Sequence, residues 1–129
     1  MAATINMTII AQVRELGEDI DIRERFDTTT TPTTVTHVKR TLITADTPEL
    51  LDLGGVAVSL CEALWFKASG GNFWLDTTVS TAGVASDFQK EVYVPSGKSV
   101  FITPTGTTAS IGVLGSTAVT FEYLAGGTV

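Results

Sequence analysis

The chain has 129 residues, 43% of them hydrophobic and 17% charged, with a formal net charge of −6 and a single cysteine. That length suits one domain able to bury most of the surface its unfolded form exposes. An acidic balance (pI near 4.5) with no basic cluster beyond Lys39-Arg40 argues against gripping nucleic acid by its phosphates; the lone Cys61 excludes an intrachain disulfide, and no apolar run reaches the length of a bilayer span.

The first stretch, Met1 to Gln12, alternates polar and apolar residues and lacks the basic start and apolar core of a secretory signal, so the expectation is a protein neither membrane-inserted nor secreted that way. Ile5, Met7, Ile9, Ala11 and Val13 share one parity, which predicts a half-buried strand ending near Gly17. Glu18 to Phe26 repeats the pattern with Ile20, Ile22 and Phe26 inward, and the two make a hairpin across Leu16-Gly17-Glu18. Residues 27–34 hold a run of threonines, Thr28, Thr29, Thr30, Thr31, Thr33 and Thr34, broken by Pro32. With no apolar partner to pack, this segment reads as an exposed loop or flexible arm suited to contact with another molecule.

A strand follows over Val35 to Thr44. Thr47, Pro48 and Glu49 ahead of Gly54-Gly55 have the order of a short capped helix, while Leu51-Asp52-Leu53 equally suits a strand edge. Val56 to Lys67 is apolar on both parities, as expected of a strand covered on both faces, with a helix as the rival. The strong turn Ser69-Gly70-Gly71-Asn72 decides for a hairpin into a strand over Phe73 to Val79. Ser80 to Ser86 is small-residue loop. Strands over Phe88 to Val94, Lys98 to Thr103, Ser110 to Leu114 and Ala118 to Leu124 are then separated by Pro95-Ser-Gly97, Pro104-Thr-Gly106 and Gly115-Ser116. The expected fold is all-β: one antiparallel β-sandwich over residues 1–129, jelly-roll-like, with about nine short strands. Nine of the fourteen acids precede Leu53, which leaves eight charges over the last 77 residues. Strand surfaces this neutral point to packing against another subunit.

Candidate chemistry is sparse. His37 is the only histidine and has no obvious metal or triad partner in the sequence; a small hydrolase would need it against a carboxylate in a cleft. Asp19, Asp21 and the acids between Asp46 and Asp52 lack the glycine-interrupted spacing of a calcium loop and read as solvated side chains. Asn6-Met-Thr8 fits a glycosylation acceptor only in a secretory context, which the N-terminal pattern does not supply. Trp65, Trp74, Tyr93 and Tyr123 offer a sugar-stacking platform or, more simply, core and interface aromatics. Cys61 reads as a small buried residue. No catalytic, cofactor or metal site is expected.

From Leu50 onward the chain resembles small structural proteins of tailed-phage virions. The resemblance is carried by Leu51-Asp-Leu-Gly54, an aromatic strand, Gly71-Asn-Phe-Trp74, Pro95-Ser-Gly-Lys98 before Val100-Phe101, and the strand Val119 to Leu124. It implies a non-enzymatic capsid decoration or cement protein, a homo-oligomer and often a trimer, that clamps the major capsid protein in a virion assembled in the host cytoplasm. It identifies no binding residues. Residues 28–34 and the first hairpin are the expected partner contacts, and the charge-poor later strands the expected subunit contacts. The alternative is a tail, neck or head-fibre component that binds a host-surface glycan through exposed Trp74 or Tyr93.

Overall fold

The computed structural model describes residues 3–15, 17–28, 31–41, 47–79, 88–104, 110–115 and 120–129. Among them the chain forms ten strands: β1 (Asn6–Val13), β2 (Ile20–Asp27), β3 (Thr34–Thr41), β4 (Glu49–Leu50), β5 (Cys61–Ser69), β6 (Phe73–Val79), β7 (Val92–Val94), β8 (Ser99–Ile102), β9 (Ser110–Gly115) and β10 (Thr120–Gly127). A 3-10 turn, Val58–Leu60, precedes β5. Strands β1 and β2 pair only with each other, while the other eight form two four-stranded sheets ordered β3-β10-β5-β8 and β4-β9-β6-β7.

The antiparallel pairings follow a single scheme. β6 pairs with β7, β5 with β8, β4 with β9 and β3 with β10. The eight strands are one long hairpin, turned between β6 and β7 and rolled until β10 also meets β5 and β9 also meets β6. That is the jelly-roll arrangement, and it is the all-β sandwich expected from the strand count and spacing.

The two sheets enclose one core. Phe121, Tyr123 and Ala125 of β10, and Leu64, Phe66 and Ala68 of β5, alternate inward against Phe73 and Leu75 of β6 and Ile111 and Val113 of β9. Four rings form its centre: Phe66 stacks on Phe121 at 5.4 Å, Phe73 meets both edge-on at 5.6 and 5.3 Å, and Tyr123 stacks on Phe121 at 6.1 Å. Buried Tyr123 needs a partner for its hydroxyl, and its Oη donates to the Asp52 carbonyl at 2.6 Å. That bond ties the segment after β4 to the middle of the opposite sheet.

Three expectations change and one open choice is decided. Thr47-Pro48-Glu49 leads into β4 and no helix, in line with the strand-edge alternative, because Leu51 and Leu53 are both buried with Asp52 exposed between them, a period of two. A turn follows in which Asp52 accepts from the Gly54 backbone at 2.8 Å. Val56 to Lys67 is not one strand; the 3-10 turn interrupts it, closed by Leu60 N–H donating to the Ala57 carbonyl at 2.9 Å. The strand expected over Phe88 to Val94 shortens to β7, because Gln89 N–H turns away to Asp76 Oδ2 at 2.7 Å. The first hairpin forms in the expected place but is exposed over most of its length instead of half-buried. The expected loop over residues 80–86 and the expected strand continuation over 42–44 lie outside the described residues.

Two glycines near the end of β10 allow close approach from opposite sides. A Cβ on Gly127 would collide with the Leu60 carbonyl oxygen and come within 3.0 Å of Cys61 Cα, whereas one on Gly126 would meet the terminal methyl of Ile5. Backbone cannot yield as a side-chain end can. Gly127→Ala is therefore expected to cost about 1–3 kcal/mol in urea unfolding followed by tryptophan fluorescence, and Gly126→Ala distinctly less. Equal losses would contradict this account of the β5–β10 bulge.

Candidate functional site

The threonine-rich segment is held at both ends. Thr28 bonds to Ile5 twice, its N–H donating to the Ile5 carbonyl at 3.1 Å and its Oγ1 accepting from Ile5 N–H at 3.5 Å. Pro32 is buried, Thr33 N–H donates to the Gly127 carbonyl at 2.9 Å, and Thr33 Oγ1 accepts from Val129 N–H at 3.1 Å. Thr34 opens β3, and Thr31 and Thr33 are exposed. Thr29 and Thr30 lie outside the described residues. The segment joins the ribbon to the sandwich, and Thr31 and Thr33 are the side chains it presents to solvent among those described.

The ribbon itself has two unlike faces. Register places Met7 opposite Phe26, Ile9 opposite Glu24, Ala11 opposite Ile22 and Val13 opposite Ile20 on one face. Asn6, Thr8, Ile10 and Gln12 oppose Asp27, Arg25, Arg23 and Asp21 on the other. The polar face satisfies its own charges, with Arg23 bonded to Asp21 at 3.3 Å and Arg25 to Asp27 at 3.0 Å. Among the described residues the apolar face is covered only at its root. Ile5 lies over Gly126, and the Phe26 ring packs on Phe101 at 4.9 Å, both on the outer face of the β3-β10-β5-β8 sheet. Beyond the root, residues 8–12 and 17–25 are exposed. Ile9, Ile20 and Ile22 remain 49, 45 and 47% accessible. Full burial of such a side chain is worth about 1.5–3 kcal/mol, so roughly half of that is unrealised at each of the three. A lone two-stranded hairpin is marginal in water, which makes an uncovered apolar face costly for this one.

Beside the root, a cleft of about 420 Å³ opens between Met7, Thr8 and Ile9 of the ribbon and Trp65, Ser99, Val100 and Phe101 of the sheet. The same outer face carries His37, with Nε2 2.8 Å from Glu122 Oε2. The sheet thus brings the only histidine to a carboxylate 85 positions away, a pairing that sequence spacing does not reveal. The His37 side chain is 58% exposed and does not line the cleft. An exposed pair of this kind is worth about 0–1 kcal/mol. Lys39 and Lys67 flank Glu122 on the neighbouring strands.

On the opposite sheet Trp74 and Tyr93 are cross-strand neighbours with rings 4.6 Å apart, and Lys90 Nζ sits 5.4 Å from the Trp74 ring. Tyr93 is 46% exposed, unlike Tyr123, which is core. Next to them Asp76 is fully buried and accepts from Gln89, while the Phe88 ring covers Gly112. Part of the neutral strand surface is therefore covered by this chain's own segments. Asp76 went unrecognised in the sequence because nothing in its neighbours marks an outward strand position as buried. Of the other acids considered, Asp19 pairs with Arg14 at 4.0 Å and Asp21 with Arg23, both exposed; Asp46 lies outside the described residues. Among the described residues no three His, Cys, Asp or Glu side chains gather as a metal ion requires, and no helix is long and apolar enough to cross a membrane.

The chain matches no family model, no curated protein and no solved structure.

Cys61 is fully buried, its Sγ donating to the Ala63 carbonyl at 3.6 Å. Burial raises its thiol above the ordinary value of 9.0, against smaller lowering by backbone bonds with Gly126 and Ala63. In the unfolded chain the thiol ionises first as pH rises, so the folded state binds the extra proton and this group's contribution to stability is lost at alkaline pH. The expected outcome is no reaction with a thiol reagent until the protein is unfolded, together with a fall in the urea midpoint on alkaline titration that Cys61→Ala removes. Rapid labelling of native protein would contradict the burial.

Proposed function

We propose that this chain is a non-enzymatic structural protein of a tailed-phage virion, a decoration or cement protein that oligomerises, as a trimer, and stabilises the major capsid lattice by binding its surface. The observation that carries the reading is a compact jelly-roll body bearing an exposed amphipathic ribbon, a division between rigid scaffold and contact element that lattice-binding proteins need. The jelly roll is an arrangement that viral capsid domains use, though fold alone never fixes function. The resemblance of Leu51-Asp-Leu-Gly54, Gly71-Asn-Phe-Trp74 and Pro95-Ser-Gly-Lys98 to phage virion proteins points the same way. In this reading Thr28, Thr29, Thr30, Thr31, Thr33 and Thr34, together with the polar face of the ribbon, face the capsid. Complementary polar and charged groups give contacts of this kind their specificity.

A second reading, a tail, neck or head-fibre component that binds a host glycan, is favoured by one observation: the Trp74–Tyr93 ring pair stands on an outer face with the Lys90 ammonium beside it. Jelly rolls also serve as lectin domains.

One experiment separates the two. Antibody raised against the recombinant protein, applied as immunogold to purified virions from the source culture, is expected to decorate heads at many sites. Label confined to tails or fibres, with glycan-array binding that is lost in Trp74→Ala, would establish the second reading instead. Virions without label would overturn both.

A further inference from the structure

The overhanging face of the ribbon calls for an occupant, and three features select a second copy of this chain. The first is continuity. The face that carries Ile9, Ile20 and Ile22 is the one whose root already packs Ile5 on Gly126 and Phe26 on Phe101. The chain thus contains the surface that this face fits, namely the outer side of the β3-β10-β5-β8 sheet. That side is not fully used: Val35 is 51% exposed, Trp65 and Leu124 are half-buried, and the cleft lies open beside Trp65 and Phe101.

The second is charge. Glu24 is the one charged residue of β1 and β2 on the apolar face, while the outer side of the sheet carries Lys39 and Lys67 on either side of Glu122, whose carboxylate is bonded to His37. Among the described residues these three form no ion pair. The polar face of the ribbon, with its arginines already bonded to Asp21 and Asp27, presents no such demand. The third is area. Beyond the Met7–Phe26 pair the overhang runs six paired residues per strand, about 20 Å, and two such tips set face to face fall well short of the roughly 800 Å² per partner typical of a specific interface. An arm laid along a neighbour's sheet and reciprocated around a closed symmetric assembly recruits the sheet face as well.

We propose that the β1–β2 ribbon is a self-association arm whose apolar face seats on a second copy of this chain, along the outer side of its β3-β10-β5-β8 sheet at the cleft beside Trp65 and Phe101. The arm gives the virion reading its subunit contact but does not depend on it, because association is measured on the purified protein without any virion.

Sedimentation of the full chain across a concentration series is expected to show a closed multiple of 13.6 kDa. Ile22→Asp on the seating face should weaken association by about 100-fold or more, and Ile10→Asp on the opposite face by less than about threefold. Ile10→Asp places the same charge in the same strand pair, so it controls for loss of the ribbon, and an unchanged circular-dichroism spectrum confirms that the sandwich is intact, since loss of association by itself lowers the thermal midpoint. Glu24→Lys and Lys67→Glu should each weaken association and together restore it. A wild-type protein monomeric up to its solubility limit, equal effects of the two Asp variants, or a charge swap without recovery would each overturn the proposal.

Discussion

Everything in this fold depends on β10 being paired along both sides. Its eight residues bond to β3 on one side and β5 on the other, and its inward side chains Phe121, Tyr123 and Ala125 supply the centre of the core. Pairing on two sides leaves β10 no freedom to slip, because a one-residue shift would carry Phe121 and Tyr123 to the outer face and Glu122 and Leu124 to the inner. The strict alternation of that strand therefore fixes the register of three strands at once, and the Tyr123–Asp52 hydrogen bond extends the constraint to the segment entering the other sheet.

Much of this was legible because β-structure writes its faces into parity. Phe121 and Tyr123 against Glu122, Leu64 and Phe66 against Trp65, and Phe73 and Leu75 against Trp74 each alternate in sequence as they do in space. Turn chemistry was legible for a related reason. Pro95-Ser-Gly97 and Ser69-Gly70-Gly71-Asn72 are local solutions to reversing a chain, and Lys98 N–H closes the first of them on the Pro95 carbonyl at 3.0 Å.

What parity could not convey is which covering each face receives. Ile20 and Ile22 alternate as cleanly as the core strands, yet they are exposed, because alternation records a requirement for cover and not its source. The reverse holds on the other sheet, where Asp76 looks like an outward polar residue but is sealed beneath the Gln89 segment. Interruptions were missed for the same reason: the 3-10 turn at Val58–Leu60 lies in a run that is apolar on both parities and answers to Gly127, far away in sequence. The His37–Glu122 pair and the Trp74–Tyr93–Lys90 cluster are likewise products of strand order, invisible until distant segments are neighbours.

The rolled pairing also sets how the chain must reach its native state. Within the sandwich, β6 and β7 are the paired strands closest in sequence; each further pair encloses the one before, until β3 meets β10 across residues 34 and 127. Loop closure becomes steadily more expensive outward along this series, and folds dominated by such distant contacts form slowly. A nascent chain leaving the ribosome holds β3, β4 and β5 long before their partners in β8, β9 and β10 exist. During synthesis those strands wait with open edges, and the native sandwich closes only when β10 emerges to fill the gap between β3 and β5.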